Sequence, residues 1–397
     1  MKYQEIKDFP CNAPKGSIAV TVPDGFVKPC CAFINQDDDW KETSNLFHTN
    51  SFDDILTSHN WNNYVPGTHC VSCIHEEEHI GPHKLPVSLR EHWNQEISDD
   101  ANKLEYLELA LDFTCNMMCR MCGPRQSSKW NASPIIKDLQ KFSTFDKIYY
   151  DKVQNIFIEN YNSGENELYN KQTGLKEYSL KLMSNLTNTD LSNLKVVKLI
   201  GGEPLYSKKL PQFINLLKKQ EHWRDIKIIL ISNGSIIPDE VLFKGFRDIE
   251  IQVSIDAIGD LGSTIRMKQP WDKIDNNIRA MNDLYNVTML HATVSIMNIN
   301  KMQDFLDYCH ELDIEESMSM LHGPNYLRLN IIPREFRMQW FTDNEKVNTW
   351  LMIPNHKDIK DQGRLFLRSI PLLDSESEFN FRDINPEIVD IVEKYVV

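Results

Sequence analysis

Hydrophobic and polar positions alternate in a regular way from about residue 104 onward. Short apolar runs, typical of buried strands, are separated by stretches in which apolar residues recur three and four positions apart, as in helices that pack on a sheet. The sequence therefore predicts six strand–helix units. The predicted strands are residues 104–111, 195–200, 227–232, 249–255, 288–297 and 327–332, and the predicted helices lie within 208–220, 238–246, 271–285 and 301–312.

This alternation favours an α/β fold in which a largely parallel sheet is connected by crossover helices. Six units are fewer than the eight of a full barrel, so the pattern leaves an open sheet and a partial barrel as alternatives. Ligands of such proteins bind at the carboxyl ends of the strands. We therefore expect the functional site among the polar residues that follow the predicted strands, which include Asp112, Cys115, Glu203, Asn233, Asp256, Asn298 and Arg334.

The alternation also divides the chain into domains. Residues 1–100 are loop-rich and hold five cysteines, so they predict a small domain stapled by metal. The core is expected over 101–335, with a polar, turn-rich insertion at about 131–190 that is partly helical and a candidate lid. Residues 336–397 form a C-terminal extension whose last helix is predicted to have Asn385 as its cap and Pro386 at its first position.

Composition narrows the function classes. The 397-residue chain is 41% apolar and 25% charged, which excludes collagen-like and wholly disordered proteins. Lys plus Arg number 43 against 57 Asp plus Glu, giving a formal charge of −14, and such a surface repels phosphate backbones and anionic lipids. We expect no nucleic-acid and no membrane partner. No run of about 18 apolar residues and no signal-peptide pattern occur, so we expect a cytoplasmic protein.

Three of the nine cysteines are tightly grouped. Cys115, Cys119 and Cys122 follow the first predicted strand directly, with three and then two residues between them. Cytosolic thiols stay reduced, so metal ligation or redox chemistry is a better explanation of such a group than a disulfide. A compact turn brings three thiolates onto one iron–sulfur cube, whose fourth iron then has no protein ligand. A three-thiol zinc site and buried reduced cysteines remain alternatives.

Together with the sequence GGEP at 201–204, this CxxxCxxC spacing resembles the radical S-adenosylmethionine superfamily. The resemblance implies a partial (β/α)6 barrel and a 4Fe-4S cluster on Cys115, Cys119 and Cys122, which would be the catalytic centre. It also implies that S-adenosylmethionine binds the open iron and that its reductive cleavage gives a 5′-deoxyadenosyl radical. That radical would abstract hydrogen from a substrate. The cofactors would carry the chemistry, and the protein would position them.

The same resemblance implies further residues that bind S-adenosylmethionine. Gly201 and Gly202 would let the backbone approach it closely, and Glu203 would accept a hydrogen bond from its ammonium group. Arg266, with paired donors, resembles one member of a carboxylate-binding pair. The remaining positions are Ser254 as the second member of that pair, Asn233 and Asp256 as ribose contacts with cap or turn roles as alternatives, and Met121 in place of the usual aromatic contact to adenine.

The amino-terminal cysteines resemble the auxiliary-cluster domains called twitch and SPASM. The implied ligands of a probable auxiliary 4Fe-4S cluster are Cys11, Cys30, Cys70 and Cys73, with Cys31 left over as an alternative to Cys30. Zinc is the competing interpretation because four histidines, at positions 69, 75, 79 and 83, surround the CVSC sequence at 70–73. Cys309 is predicted to be a core thiol.

The function expected from this resemblance is radical chemistry on a peptide or protein substrate. Radical chemistry on a small metabolite is an alternative, as is a non-catalytic metal-stapled binding protein. A low-potential electron donor such as flavodoxin or ferredoxin is the expected redox partner. A peptide substrate would require a groove or an exposed edge strand for its binding.

Overall fold

A computed structural model of the chain describes residues 11–20, 25–30, 33, 44–58, 61, 89–98, 101–123, 126–135 and 173–396. Its strands are β1 (Ser17–Val20), β2 (Val27–Lys28), β3 (Tyr106–Ala110), β4 (Met118–Cys119), β5 (Val196–Ile200), β6 (Lys227–Ser232), β7 (Asp248–Ser254), β8 (Arg266–Met267), β9 (Asn286–Val294) and β10 (Glu315–Met320). Strands and helices alternate from β5 onward, so the predicted α/β class is confirmed.

The helices that the structure describes include those predicted from the apolar spacing. They are α1 (Ala13–Gly16), α2 (Phe52–Leu56), α3 (Leu89–Glu96), α4 (Ser128–Ala132), α5 (Thr173–Asn188), α6 (Leu210–Leu217), α7 (Glu240–Phe243), α8 (Gly259–Ile265), α9 (Trp271–Leu284), α10 (Met302–Leu312), α11 (Arg334–Arg337), α12 (Glu345–Leu351), α13 (Ile359–Asp374), α14 (Phe381–Ile384) and α15 (Pro386–Val396). Helix α15 begins at Pro386, as predicted, because proline's fixed φ and missing N–H suit the first helical turn.

Eight strands make up a mainly parallel sheet, and β4 and β8 form a separate antiparallel pair. The chain divides into two compact units. The first unit comprises residues 1–113, 170–230 and 239–249. In it, β6, β5, β3 and β1 are neighbours in that order and parallel, and β2 pairs antiparallel with β1. Helix α5 packs in this unit, where the Tyr178 hydroxyl donates to the carbonyl of Ala110 at the end of β3.

The second unit comprises residues 114–169, 231–238 and 250–397. It contains the parallel neighbours β7, β9 and β10, with β10 at the sheet's edge, and it contains the β4–β8 pair. Residues that point to one face of these strands are buried and apolar, including Val253, Leu290 and Ala292. Alternate positions of a strand point to opposite faces, so the other face carries the intervening residues.

The sixth predicted strand was wrong. The range 327–332 covers the end of one 3-10 turn, Asn325–Leu327, and the whole of a second, Leu329–Ile331, and the strand of that unit is β10 instead. Leu327, Leu329 and Ile331 are fully buried. A turn inside the core needs apolar residues as much as a buried strand does, so the apolar pattern does not distinguish the two. Strand β10, at the sheet's edge, has the sequence EESMSM. It has no apolar run, because of its six residues Met318 alone is buried.

The amino-terminal region gives the sheet a strand that the sequence analysis missed. Strand β1, with the sequence SIAV, is buried along its length and parallel to β3. The range 131–190, where an insertion is predicted, contains the last two residues of α4 and the whole of α5. Its remaining part, the candidate lid, lies outside the described residues. In the described part of the chain, no helix is long and apolar enough to cross a membrane.

Candidate functional site

The three-cysteine loop, residues 115–122, follows β3 and includes the short strand β4. Cys115 and Cys119 are buried, and Cys122 is half-buried. The loop folds back on itself, because the Cys122 N–H donates to the Cys119 carbonyl at 3.0 Å. The structure thus places Cys119 and Cys122 in one tight turn of the second unit, and Cys115 lies four residues before Cys119 in the same loop.

Helix α4 holds the backbone of this loop. Ser127, its N-cap, donates from its hydroxyl to the carbonyl of Met117 at 2.6 Å. The hydroxyl of Ser128 accepts from the Cys115 N–H at 3.1 Å. The indole of Trp130 donates to the Cys119 carbonyl at 3.0 Å. Three side chains at the start of α4 therefore hold the backbone of the cysteine loop at Cys115, Met117 and Cys119.

A polar cluster lies against Cys115. Asn233 donates from Nδ2 to Asn116 Oδ1 at 3.0 Å and to the Cys115 sulfur at 3.8 Å. Its Oδ1 accepts from the Ser235 hydroxyl at 2.5 Å, and Asn116 donates to the same hydroxyl at 2.8 Å. The sequence analysis named Asn233 but missed Asn116 and Ser235. Both residues could have been found from their positions in the sequence. Asn116 lies inside the cysteine loop, and Ser235 is two residues after Asn233, the spacing of an Asx turn.

Arg266 lies beside Cys119. Strand β8 pairs antiparallel with β4 so that Arg266 and Cys119 are opposite each other, and such pairs have neighbouring side chains. The guanidinium Nε donates to Asp256 Oδ2 at 2.7 Å, and the Asp256 side chain is fully buried. The other oxygen of Asp256 accepts from the Thr293 N–H at 2.9 Å. Both predicted residues therefore meet, but as an ion pair that holds Arg266 in place.

The electrostatics of the loop centre on Cys119. A side-chain hydrogen bond that the Cys119 thiol makes to Cys122, together with burial, raises the pKa of Cys119 well above its ordinary value, while the charge of Arg266 opposes that shift. Burial alone would lower the pKa of Arg266, but Asp256 and Cys119 outweigh it and raise that pKa. Arg266 is therefore a permanent positive charge beside thiols that must ionise in order to bind metal.

These residues fit an iron–sulfur cluster. The Cys115 sulfur accepts from the Met117 N–H at 3.4 Å as well as from Asn233, and hydrogen bonds to sulfur are a feature of cluster-bound thiolates. Within the described ranges, no three His, Cys, Asp or Glu side chains converge as ligands of one metal ion. A four-iron cube does not require such convergence, because each thiolate binds a different iron.

The GGEP residues lie in the first unit, at the end of β5. Gly201 has a φ of +78°, and a Cβ there would lie 2.4 Å from the Cβ of Ala110. Glu203 is fully buried, and its carboxylate accepts from the Leu205 N–H at 3.1 Å as the cap of a 3-10 turn. The Ser207 hydroxyl donates to Asp112 Oδ2 at 2.6 Å, which ties this turn to the end of β3.

The remaining predicted site residues are placed as follows. Gly202 has a φ of +51°, and Met121 and Ser254 are half-buried in the second unit. Of the amino-terminal set, Cys11 is half-buried and Cys30 is buried, both in the first unit. Cys31, Cys70, Cys73 and the four histidines of the zinc alternative lie outside the described residues. The auxiliary ligand set therefore stays a prediction.

The fold and the site define an α/β protein with a three-cysteine loop at the carboxyl end of a parallel strand. No family model matches the chain. A GTP 3′,8-cyclase of Campylobacter lari is 21% identical over 249 residues, which are 59% of this chain and 64% of that enzyme. The chain thus matches less than two thirds of that relative's length.

Solved structures give weaker likenesses. Native anSMEcpe with bound AdoMet is 14% identical, with 56% of this chain and 52% of that chain covered and a TM-score of 0.35. Streptococcus suis SuiB bound to the precursor peptide SuiA is 16% identical, with 72% and 52% covered and a TM-score of 0.32. With TM-scores of 0.35 or less, these likenesses assign no substrate or partner to this chain.

Proposed function

We propose that this protein is a radical S-adenosylmethionine enzyme. The observation that carries the proposal is the three-cysteine loop with the Arg266–Asp256 pair built directly beside it. The similarity to a GTP 3′,8-cyclase, low as it is, supports the same superfamily. When bound, the cluster would supply the electron that cleaves S-adenosylmethionine to methionine and a 5′-deoxyadenosyl radical, which takes a hydrogen atom from the substrate.

The residues of the chain have distinct roles in this proposal. Cys115, Cys119 and Cys122 hold the cluster, and the donors to the Cys115 sulfur tune it. Arg266 offsets the negative charge of the thiolates, and its remaining guanidinium N–H groups are suited to a carboxylate. Asp256 orients Arg266, because its Oδ2 accepts from that guanidinium while its Oδ1 accepts from the Thr293 N–H, and its ribose contact stays a prediction.

A polar sheet face supports a peptide or protein substrate. Parallel sheets normally bury apolar residues on both faces, yet one face of β7, β9 and β10 is largely polar and partly exposed. The His291 ring lies between the hydroxyls of Ser317 and Ser319, at 3.0 Å from each. This face adjoins the site. The N–H of Ile255, the residue before Asp256, donates to the backbone carbonyl of His291. Strand β10, which belongs to this face, is the edge strand of the sheet and offers backbone groups to an extended chain.

A small metabolite is the second candidate, and the GTP 3′,8-cyclase favours it. The charge of the polar face argues against a triphosphate there. Strands β7, β9 and β10 contain no Lys or Arg, whereas they contain four carboxylates, those of Asp248, Glu250, Glu315 and Glu316. Phosphate recognition depends on cationic or helix N-terminal donors. We therefore place the peptide substrate first.

The decisive experiment is formation of 5′-deoxyadenosine by anaerobically reconstituted, dithionite-reduced protein. Cys119→Ala removes one cluster ligand and is expected to abolish the product. Cys309→Ala, which removes a buried cysteine far along the chain from the loop, is the matched control and should retain the wild-type yield.

Two results would count against the proposal. One is equal product from wild type and Cys119→Ala. The other is a wild-type protein that carries its cluster but gives no product, with or without added peptides and GTP. The second result would favour a non-catalytic binding protein.

A further inference from the structure

Arg120 lies between two of the three cluster ligands and is almost fully buried, with 3% of its surface exposed. Its Nε donates to the Thr264 carbonyl at 2.7 Å, at the end of α8. Its Nη2 donates to the Asp374 carboxylate, 254 residues further along the chain. The guanidinium also lies over the Phe381 ring, 5.6 Å from its centroid. A charged side chain of the loop is thus anchored in the C-terminal extension.

Asp374 is itself fixed. It is the last residue of α13, and both of its oxygens accept from the Phe381 N–H at 3.2 Å. The turn that follows adds Glu376, whose carboxylate accepts from Ser133 at 2.5 Å and from Lys268 at 2.9 Å. Ser133 directly follows α4 and Lys268 directly follows β8. The end of α13 therefore reaches three segments that surround the cysteine loop.

Apolar packing joins the same segments. Met118, Trp130, Met267 and Leu373 belong to one buried cluster, and Cys122 packs against it. We call Leu373, Asp374, Glu376 and Phe381 the C-terminal support. Its members contact the loop itself, α4 and β8, and all of these lie in the second unit.

We propose that the Arg120–Asp374 ion pair positions the three-cysteine loop for cluster binding, so that the C-terminal support acts as a part of the metal site. This inference rests on the proposed function. Arg120 is one residue from Cys119 and two from Cys122, so a shift of its guanidinium moves both thiols. In this proposal Arg120 is a positioning residue, because it acts on the two cysteines through the backbone that joins them.

General stability is a poor explanation of this pair. A buried ion pair gains little net stability over apolar residues of equal volume, because both charges lose their hydration. The pair instead fixes the orientation of the Arg120 side chain. Its planar guanidinium donates in two set directions, to the Thr264 carbonyl and to the Asp374 carboxylate. A lysine has one donor group and cannot make both contacts in that geometry.

The test uses the full chain with Asp374→Asn, which keeps the shape of the side chain and removes its charge. Glu393→Gln is the matched control, since Glu393 pairs with Arg382 in the same extension but on the surface. The measurements are iron and sulfide per chain, the midpoint potential, and the electron paramagnetic resonance spectrum of the reduced cluster with and without S-adenosylmethionine.

For Asp374→Asn we expect about tenfold weaker cluster retention in a chelator challenge, typical of a lost outer partner of a metal ligand. We also expect a shifted potential and a weaker spectral response to S-adenosylmethionine. Glu393→Gln should match wild type. Asp374→Glu keeps the charge but displaces it, so it should fold like wild type and still show an altered spectrum.

The outcomes separate this inference from the proposed function. If Asp374→Asn and Asp374→Glu match wild type in iron, potential and spectrum, the positioning role is overturned and the enzyme assignment stands. If Asp374→Asn does not fold, Asp374→Glu decides by its spectrum. If wild type takes up no cluster, both the proposed function and the positioning role fail.

Discussion

Gly201 shows how little space one residue has at the end of β5. Its φ of +78° is unfavourable for other residues, and a Cβ there would lie 2.4 Å from the Cβ of Ala110. We expect Gly201→Ala to lower the free energy of unfolding by about 3 kcal/mol, from backbone strain plus overpacking. Urea unfolding followed by circular dichroism measures this loss.

Gly259 is the control for that substitution. It also has a positive φ, +61°, but no atom lies within 4 Å of its Cβ position. Gly259→Ala therefore isolates the backbone strain, about 1 kcal/mol. If both variants lost the same free energy of unfolding, the close contact with Ala110 would contribute nothing, and the overpacking part of the prediction would be wrong.

Cys309 is fully buried in α10, as its apolar spacing predicted. Burial, with a smaller effect of Glu316, raises the pKa of its thiol to about 12. The unfolded thiol ionises near pH 9, so its neutral burial stabilises the fold fully below pH 9. That contribution is lost as the pH rises from 9 towards 12, because only the unfolded chain then releases the proton.

The corresponding measurement is alkylation by iodoacetamide, read for each cysteine by peptide mass spectrometry. Between pH 8 and pH 10, modification of Cys309 should stay negligible in the native protein. In urea it should rise about tenfold over the same range, as the fraction of thiolate rises. A matching rise in the native protein would contradict the assigned burial.

At the scale of elements, the loop after β9 depends on one asparagine. Asn298 is fully buried, accepts from the Ser295 N–H at 2.8 Å and donates to the carbonyls of Asp256 and Thr293 at 2.7 and 3.0 Å. Asn298→Ala leaves these backbone groups unsatisfied, so we expect a loss of about 3 kcal/mol in the free energy of unfolding.

Asn286, exposed at the start of β9, provides the comparison. Asn286→Ala should change the free energy of unfolding by less than about 0.5 kcal/mol. Thermal unfolding of both variants gives the difference. A small effect at Asn298 would mean that water replaces its side chain.

The contrast between β9 and β10 shows what a sequence can predict about elements. β9 was predicted because its buried positions form an apolar run, and the long helices α9 and α10 were predicted from their three-four spacing. β10 has no such signal, because an edge strand needs few buried residues. The run at 327–332 shows the opposite error, in which a strand was predicted where there is none. Its apolar residues correctly indicated burial, but they did not indicate whether the buried backbone is a strand or a turn.

At the scale of the whole molecule, some residues of the site belong to short local motifs, and others make contacts with residues far away in the sequence. The cysteines and Gly201 were named from short local motifs, and Arg266 from its place shortly after Ser254. Arg120 was not, although it lies inside the cysteine motif, because its meaning depends on Asp374. No spacing rule links residues in separate elements, so partners of this kind follow only from the folded structure.

The separation of Arg120 and Asp374 sets an order of events during synthesis. They are 254 positions apart, and Phe381 follows later still. At roughly 10 residues per second, about 25 seconds of translation separate them. The three cysteines are thus synthesised long before Asp374, the residue proposed to position their loop. On the proposal that this pair positions the loop, the site is complete only once Asp374 and Phe381 have been synthesised, so cluster assembly would act on a chain that already contains both segments.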